Sequence, residues 1–161
     1  MFRVGIGYDV HAFTKGDYVI LGGVKIPYSK SITAHSDGDV IFHALTDAML
    51  GTIAAGSIGT HFPPSEPQWE NANSEIFLTH AYNLIIDKGY EICNIDLIVV
   101  CEEPNIMPYA IDIRKKISFI LSLDINNINI KAVTTEKLGA LGRKEGIAVQ
   151  AIVALYKNII R

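Results

Sequence analysis

The chain has 161 residues, of which 49% are apolar and 19% charged, with a net charge of −3. That length suits one domain with a core that needs no covalent staples, and the composition excludes disorder. The weak negative charge gives no field to draw in DNA or RNA, and no apolar run is long enough to span a bilayer, so neither nucleic acid nor membrane is an expected partner.

The start, Met1 to Asp9, is too soon interrupted for a signal peptide, and the expectation is a cytoplasmic protein. Residues 3–11 alternate and carry β-branched side chains, predicting a strand, and Val19 to Pro27 predicts a hairpin turning at Gly22-Gly23. Ser36-Asp37-Gly38-Asp39 is a run of capping residues before an apolar-periodic stretch to Ile53, predicting a helix that ends near Gly56. Residues 56–73, rich in Gly, Pro, Ser and Asn, read as one long loop of the kind that carries function. Ser74 is placed to cap a second helix with Phe77, Ala81, Leu84 and Ile85 on one face and Gly89 as its stop.

Residues 95–101 form a nearly continuous apolar run, predicting a strand buried on both faces. A third helix spans about 108–122, with Ile113, Ile117, Ile120 and Leu121 inward, and carries the only basic run, Arg114-Lys115-Lys116. Strands near 128–134 and 146–156, joined by a Gly-rich segment, complete the order. This is an α+β pattern in a single domain over 1–161, with one mixed β-sheet and helices packed on one face. The generous apolar share fits a homo-oligomer and a well-filled core equally. Cys93 and Cys101, the only cysteines, read as buried thiols.

Asp9 and His11 stand two apart on a predicted strand, so their side chains leave the same face. His43 follows on the first helix, with Asp39 and Asp47 four residues to either side. One carboxylate and two imidazoles make a three-ligand zinc set with an open fourth position, as in catalytic sites. Spacing alone is a weak signal, because Asp-x-His occurs by chance. The context strengthens it: polar groups interrupting an apolar strand need partners or a metal. Asp39 or Asp47 fits a role in orienting a ligand imidazole, and ordinary capping accounts for either equally. The free N–H groups of the helix start at His35-Ser36 suit a phosphate, while Asp37 and Asp39 argue the other way, as carboxylates that cap the helix and occupy its positive end. Thr134-Thr135-Glu136-Lys137 at a strand end reads as a phosphate and Mg²⁺ site or as a turn with solvated charges. Gly139 to Gly146 lacks Walker spacing, which rejects a P-loop.

Four blocks, Tyr8-Asp9-Val10-His11-Ala12-Phe13, Ala34-His35-Ser36-Asp37-Gly38-Asp39-Val40, His43-Ala44-Leu45-Thr46-Asp47-Ala48 and Thr134-Thr135-Glu136-Lys137-Leu138-Gly139, closely resemble the signatures of the 2-C-methyl-D-erythritol 2,4-cyclodiphosphate synthase family. The resemblance runs from first strand to last and is specific in combination. It implies that Asp9, His11 and His43 hold Zn²⁺, one per subunit. It also implies that Glu136 holds a second divalent ion, Mg²⁺ or Mn²⁺, and that His35 and Thr134 contact the transition state. The implied reaction is intramolecular: the 2-phosphate of a cytidine diphosphate ester attacks the phosphorus farther from cytidine, and CMP leaves.

For the substrate, the resemblance points to Ser36 as a phosphate contact and to Ser57-Ile58-Gly59 for the methylerythritol hydroxyls. Ser57 stands where the family usually has Asp, a weaker acceptor in its place. Phe62-Pro63-Pro64-Ser65-Glu66 replaces a more acidic pattern. Cys101-Glu102-Glu103-Pro104-Asn105-Ile106-Met107 match the cytosine segment, with Asn105 at an often basic position. Val133 and Thr135 flank the phosphates, Val133 where a threonine is common. The family is a homotrimer with sites at subunit junctions and an apolar three-fold cavity for an isoprenoid diphosphate. Arg143 matches the arginine that grips the diphosphate, while Ala140 stands where an aromatic is common. Two other functions stay open: a zinc nucleotide phosphohydrolase, and a trimeric isoprenoid-diphosphate binding protein whose catalysis has decayed.

Overall fold

A computed structural model of the chain describes residues 1–34 and 36–157. Strand β1 (Phe2–Lys15) is longer than its apolar pattern suggested and runs the length of a five-stranded sheet. The hairpin β2 (Tyr18–Leu21) and β3 (Val24–Pro27) stands apart as a second, two-stranded sheet. Its Gly22-Gly23 turn has both residues at positive φ, the backbone twist that a two-residue hairpin requires. A short strand, β4 (Lys30–Ile32), which the sequence pattern did not reveal, pairs with the end of β1.

The core is organised around α1 (Val40–Thr52), which buries residues on nearly every side. Asp39 caps it by accepting from the Phe42 amide. The helix lies directly on β1 because Gly5 and Gly7 leave no side chain between them. A Cβ on Gly5 would fall 2.0 Å from the Ala48 carbonyl oxygen, and one on Gly7 would fall 1.9 Å from that of Ala44. The expected loop over 56–73 contains a turn of helix, α2 (Ile58–His61), and a 3₁₀ turn over Pro67–Trp69.

Helix α3 (Glu75–Asp87) buries Phe77, Leu78, Ala81 and Ile85, and leaves Leu84 half-buried at the margin. Strand β5 (Glu91–Val100) is followed by α4 (Ala110–Leu121), which buries Ile113, Ile117 and Leu121 with Ile120 at the edge of the core. Next come β6 (Ile128–Val133), one helical turn α5 (Gly139–Gly142), and β7 (Gly146–Tyr156). The sheet order is β4-β1-β7-β5-β6, with β5 and β6 parallel and the other pairs antiparallel. The fold is therefore α+β with a mixed sheet and helices on one face.

One expectation needs correction. Residues 95–101 are not buried on both faces: Ile95, Leu97 and Val99 face the helices, while Asp96, Ile98 and Val100 are half-buried on the other side. The continuous apolar run reflects an open sheet face that is itself apolar. Along β1 this face shows Phe2, Val4, Ile6, Tyr8 and Val10, each half or more exposed, beside Ile152 of β7.

Candidate active site

Asp9 and His11 share the helix-facing side of β1, and His43 reaches them from α1 because Gly5 and Gly7 let the helix close on the strand. Among the described residues, these three form the one group of metal-ligating side chains whose donor atoms converge. Asp9 Oδ2 lies 2.9 Å from His11 Nε2 and 3.0 Å from His43 Nδ1, and the two ring nitrogens are 3.2 Å apart.

The chemistry of this donor set calls for a cation. His11 Nδ1 is 3.1 Å from the Thr33 carbonyl, which can only accept, so Nδ1 carries a hydrogen and, in the neutral ring, Nε2 turns a lone pair inward. Burial raises the Asp9 pKa, yet hydrogen bonds and charge from His11 and His43 outweigh it and hold the carboxyl well below the usual carboxylate range. The Asp9 hydrogen bond raises His11 above an ordinary histidine, against the opposing effect of burial. A proton can meet this demand, and so can a divalent ion on three inward donors. The residues fit a metal ion.

Beside the triad lies a cavity of about 160 Å³. Its lining brings His11, His43, Ser36, Ile58, Gly59, Phe62 and Pro64 together, and adds Ala34, Trp69 and Phe77, which sequence reasoning missed. Phe62 packs edge-on to Trp69 at 4.9 Å and against Phe77 at 4.6 Å, an aromatic floor built by tertiary packing. Asp47 accepts from the Ile58 amide at 2.6 Å, pinning the Ser57–Gly59 segment near the triad. Asp39 accepts from Phe42, Gly22 and Gly23, tying α1 to the hairpin. Neither aspartate touches a ligand imidazole. The His43 ring is instead held by Ser74 and Ser36, at 2.8 and 3.0 Å from Nε2. Ser57 and Ser65 are exposed, Pro63 is half-buried, and Glu66 accepts from Gln68 and Trp69. His35 lies outside the described residues.

The second group of expected site residues gathers elsewhere. Glu102 accepts from the amides of Thr135 and Lys137, at 3.1 and 3.2 Å, and so straps the 101–107 loop to the turn after β6. In that turn Thr134 and Glu136 hydrogen-bond each other, and Glu136 and Lys137 both take positive φ. Cys101 and Ile106 are buried, Asn105 accepts from the Met107 amide, and Glu103 pairs with Lys144 at 2.7 Å. Val133, which ends β6, is exposed. Arg143 is held by Glu145 at 2.6 Å and lines a separate cavity with Phe13, Lys15 and Lys30.

His11 pairs with Ile147 on β7 and Val100 pairs with Ala148, so both groups lie at the same end of the sheet. They do not meet: three strand steps separate β1 from β6, roughly 14 Å at about 4.8 Å per step.

Fold and site together define a single-domain α+β protein with a two-histidine, one-carboxylate candidate cation site beside an aromatic-floored cleft. The chain belongs to the YgbB family, whose model matches residues 2–156. It is 52% identical over 153 residues to the 2-C-methyl-D-erythritol 2,4-cyclodiphosphate synthase of Alcanivorax borkumensis, covering 95% of this chain and 96% of that one. To the Anaplasma phagocytophilum protein of the same name it is 51% identical over 160 residues, covering 97% and 95%. The IspF of Plasmodium falciparum in complex with CDP superposes with a TM-score of 0.87 at 40% identity, over 98% of this chain and 97% of that one. The bifunctional IspDF of Campylobacter jejuni superposes with a TM-score of 0.94 at 41% identity, over 98% of this chain, which spans 43% of that longer protein.

Proposed function

We infer that this chain carries the activity for which its relatives are named. It converts 4-diphosphocytidyl-2-C-methyl-D-erythritol 2-phosphate to 2-C-methyl-D-erythritol 2,4-cyclodiphosphate with release of CMP, a step of non-mevalonate isoprenoid synthesis in the cytoplasm. It is a phosphorus–oxygen lyase. The observation that carries this reading is the convergence of three inward-facing donors beside a cleft, in a chain half identical to the synthases along its length.

In this reading Asp9, His11 and His43 hold one Zn²⁺, and Glu136 holds Mg²⁺ or Mn²⁺. Metal ions bound there would neutralise charge on phosphate oxygens and orient the two phosphates for in-line displacement. The chain's own groups do the positioning. Ser36 donates to a phosphate oxygen, the Ser57–Gly59 segment takes the sugar hydroxyls, and residues 62–66 with the aromatic floor cover the cleft. The 101–107 loop receives cytosine, with the phosphates beside Val133 and Thr135. His35 and Thr134 contact the reacting phosphorus. An oxygen of the 2-phosphate attacks that phosphorus, the bond to the CMP oxygen breaks, and CMP leaves as the ring closes. Holding nucleophile and target on one molecule in a fixed pose supplies most of the acceleration, since effective molarities reach about 10⁵–10⁸ M.

The active protein is a homotrimer. Its support is the apolar open face of the sheet and the separation of the two half-sites within one chain, which a neighbouring copy would close. In this reading Arg143, which matches the family's arginine, grips an isoprenoid diphosphate in a three-fold cavity, and loss of such a ligand in Arg143→Ala is its check. The test of the main reading is phosphorus NMR of the chain with substrate, zinc and Mg²⁺. Cyclic diphosphate with stoichiometric CMP is expected. Open-chain products would make it a hydrolase, no zinc in the purified chain would favour a binding protein, and no turnover with zinc bound would point to the substituted substrate pocket and the three-fold cavity.

A further inference from the structure

We propose that Asp37 and Ser74 form a proton-ordered relay that sets the tautomer of His43 and so prepares the metal centre; this rests on the zinc reading above. Ser74 is fully buried and stands at the start of α3, where a serine ordinarily caps the helix. It makes no such cap bond. Asn73 accepts from the Glu75 amide in its place, at 2.9 Å. The Ser74 hydroxyl turns away to lie between the Asp37 carboxylate and His43 Nε2, 2.8 Å from the ring nitrogen.

Counting protons fixes the direction of every bond in this chain of groups. The Asp37 carboxylate only accepts, and it already takes the backbone N–H of Ser74 at 3.0 Å and that of Asp39 at 3.1 Å. Ser74 must therefore give its single hydroxyl proton to Asp37. Its oxygen is left to accept, so the 2.8 Å contact with His43 Nε2 is a hydrogen bond only if that nitrogen carries the hydrogen; Ser36 Oγ, 3.0 Å from the same nitrogen and 3.5 Å from Ser74 Oγ, is then a second acceptor beside it. In a neutral ring, hydrogen on Nε2 leaves the lone pair on Nδ1, the atom aimed at Asp9 and His11. The Thr33 carbonyl orders His11 in the same sense through Nδ1. Both imidazoles are thus held in the one tautomer that can ligate, each by a partner on its far side.

The relay also anchors the cleft. The Asp37 amide donates to the Ala72 carbonyl at 3.1 Å, so the segment entering α3 is fastened to the His43 helix by both backbone and side chain. Asp37 and Ser74 are positioning residues: they act through His43.

The test uses the whole, zinc-loaded chain, titrated with a chromophoric chelator. Ser74→Ala is expected to weaken zinc about 10–100-fold, the range for groups behind a ligand histidine, while Ser74→Thr, which keeps the hydroxyl, stays within about threefold. Long-range proton–nitrogen NMR of the wild type after chelation should show His43 protonated at Nε2, and a mixture of tautomers in Ser74→Ala. A wild type with no hydrogen on His43 Nε2 overturns the relay even if Ser74→Ala does not fold. So does a folded Ser74→Ala that holds zinc as tightly as wild type. A wild type that holds no zinc overturns the metal reading itself, a separate result from either.

Discussion

Asp39 is fully buried, and its carboxylate accepts three backbone N–H bonds. Burial nevertheless pushes its pKa up to about 6, with the three amides pulling the other way. A folded-state pKa above the unfolded value means that the native state binds this proton more tightly. Stability from this group is therefore present at low pH and lost as pH rises through about 6. Between pH 7 and pH 5 it should add about 1 kcal/mol, and Asp39→Asn should remove that share of the slope. Denaturant unfolding of the two proteins at both pH values checks this, because their difference cancels the histidines. Removing the acceptor altogether, as in Asp39→Ala, should cost about 2–4 kcal/mol from the lost cap and stranded amides. At the triad, His11→Ala should lower zinc affinity more than about 100-fold, beyond the effect of losing a group behind a ligand. The chain should remain folded and inactive, and metal analysis beside circular dichroism reads both.

The contact between β1 and α1 is the element on which the candidate metal centre depends. Two candidate ligands come from the strand and one from the helix, and their meeting requires backbone against backbone at Gly5 and Gly7. Gly7→Ala would put a methyl group onto the Ala44 carbonyl, and the helix would have to lift. We expect a loss of about 3 kcal/mol or more in unfolding free energy, together with loss of zinc even though every ligand is intact. Gly59→Ala is the control, since nothing lies within 4 Å of the added carbon; its stability should be unchanged in the same denaturant titration.

For the whole molecule, the decisive feature is the open sheet face. Phe2, Val4, Ile6, Tyr8 and Val10 project from it, with Ile6 62% exposed. A contiguous apolar face of this kind marks an association surface. Ile6→Glu would bury an unpaired charge in each contact, at several kcal/mol per site. On the homotrimer proposed above, Ile6→Glu should sediment as monomers, still hold zinc, and no longer form the cyclic diphosphate. Monomers that turn over at the wild-type rate would refute the shared site.

The amino-acid sequence by itself determined the order of the long elements, the Gly22-Gly23 turn, the seat of the first helix after Asp39, and the candidate ligand set Asp9, His11 and His43. These features depend on spacing along the chain: period two or period 3.6, turn chemistry, and a motif whose members lie close in sequence or on patterned elements. Tertiary structure alone decided that the apolar run at 95–101 faces open space on one side, because burial depends on which layer covers a strand. It alone joined Trp69 and Phe77 to the cleft, gave Glu102 its place across the 135–137 turn, and turned Ser74 from a helix cap into a partner of His43. Those roles follow from groups tens of residues apart meeting in space. Local pattern carries no record of that meeting, because the path of the intervening chain sets it.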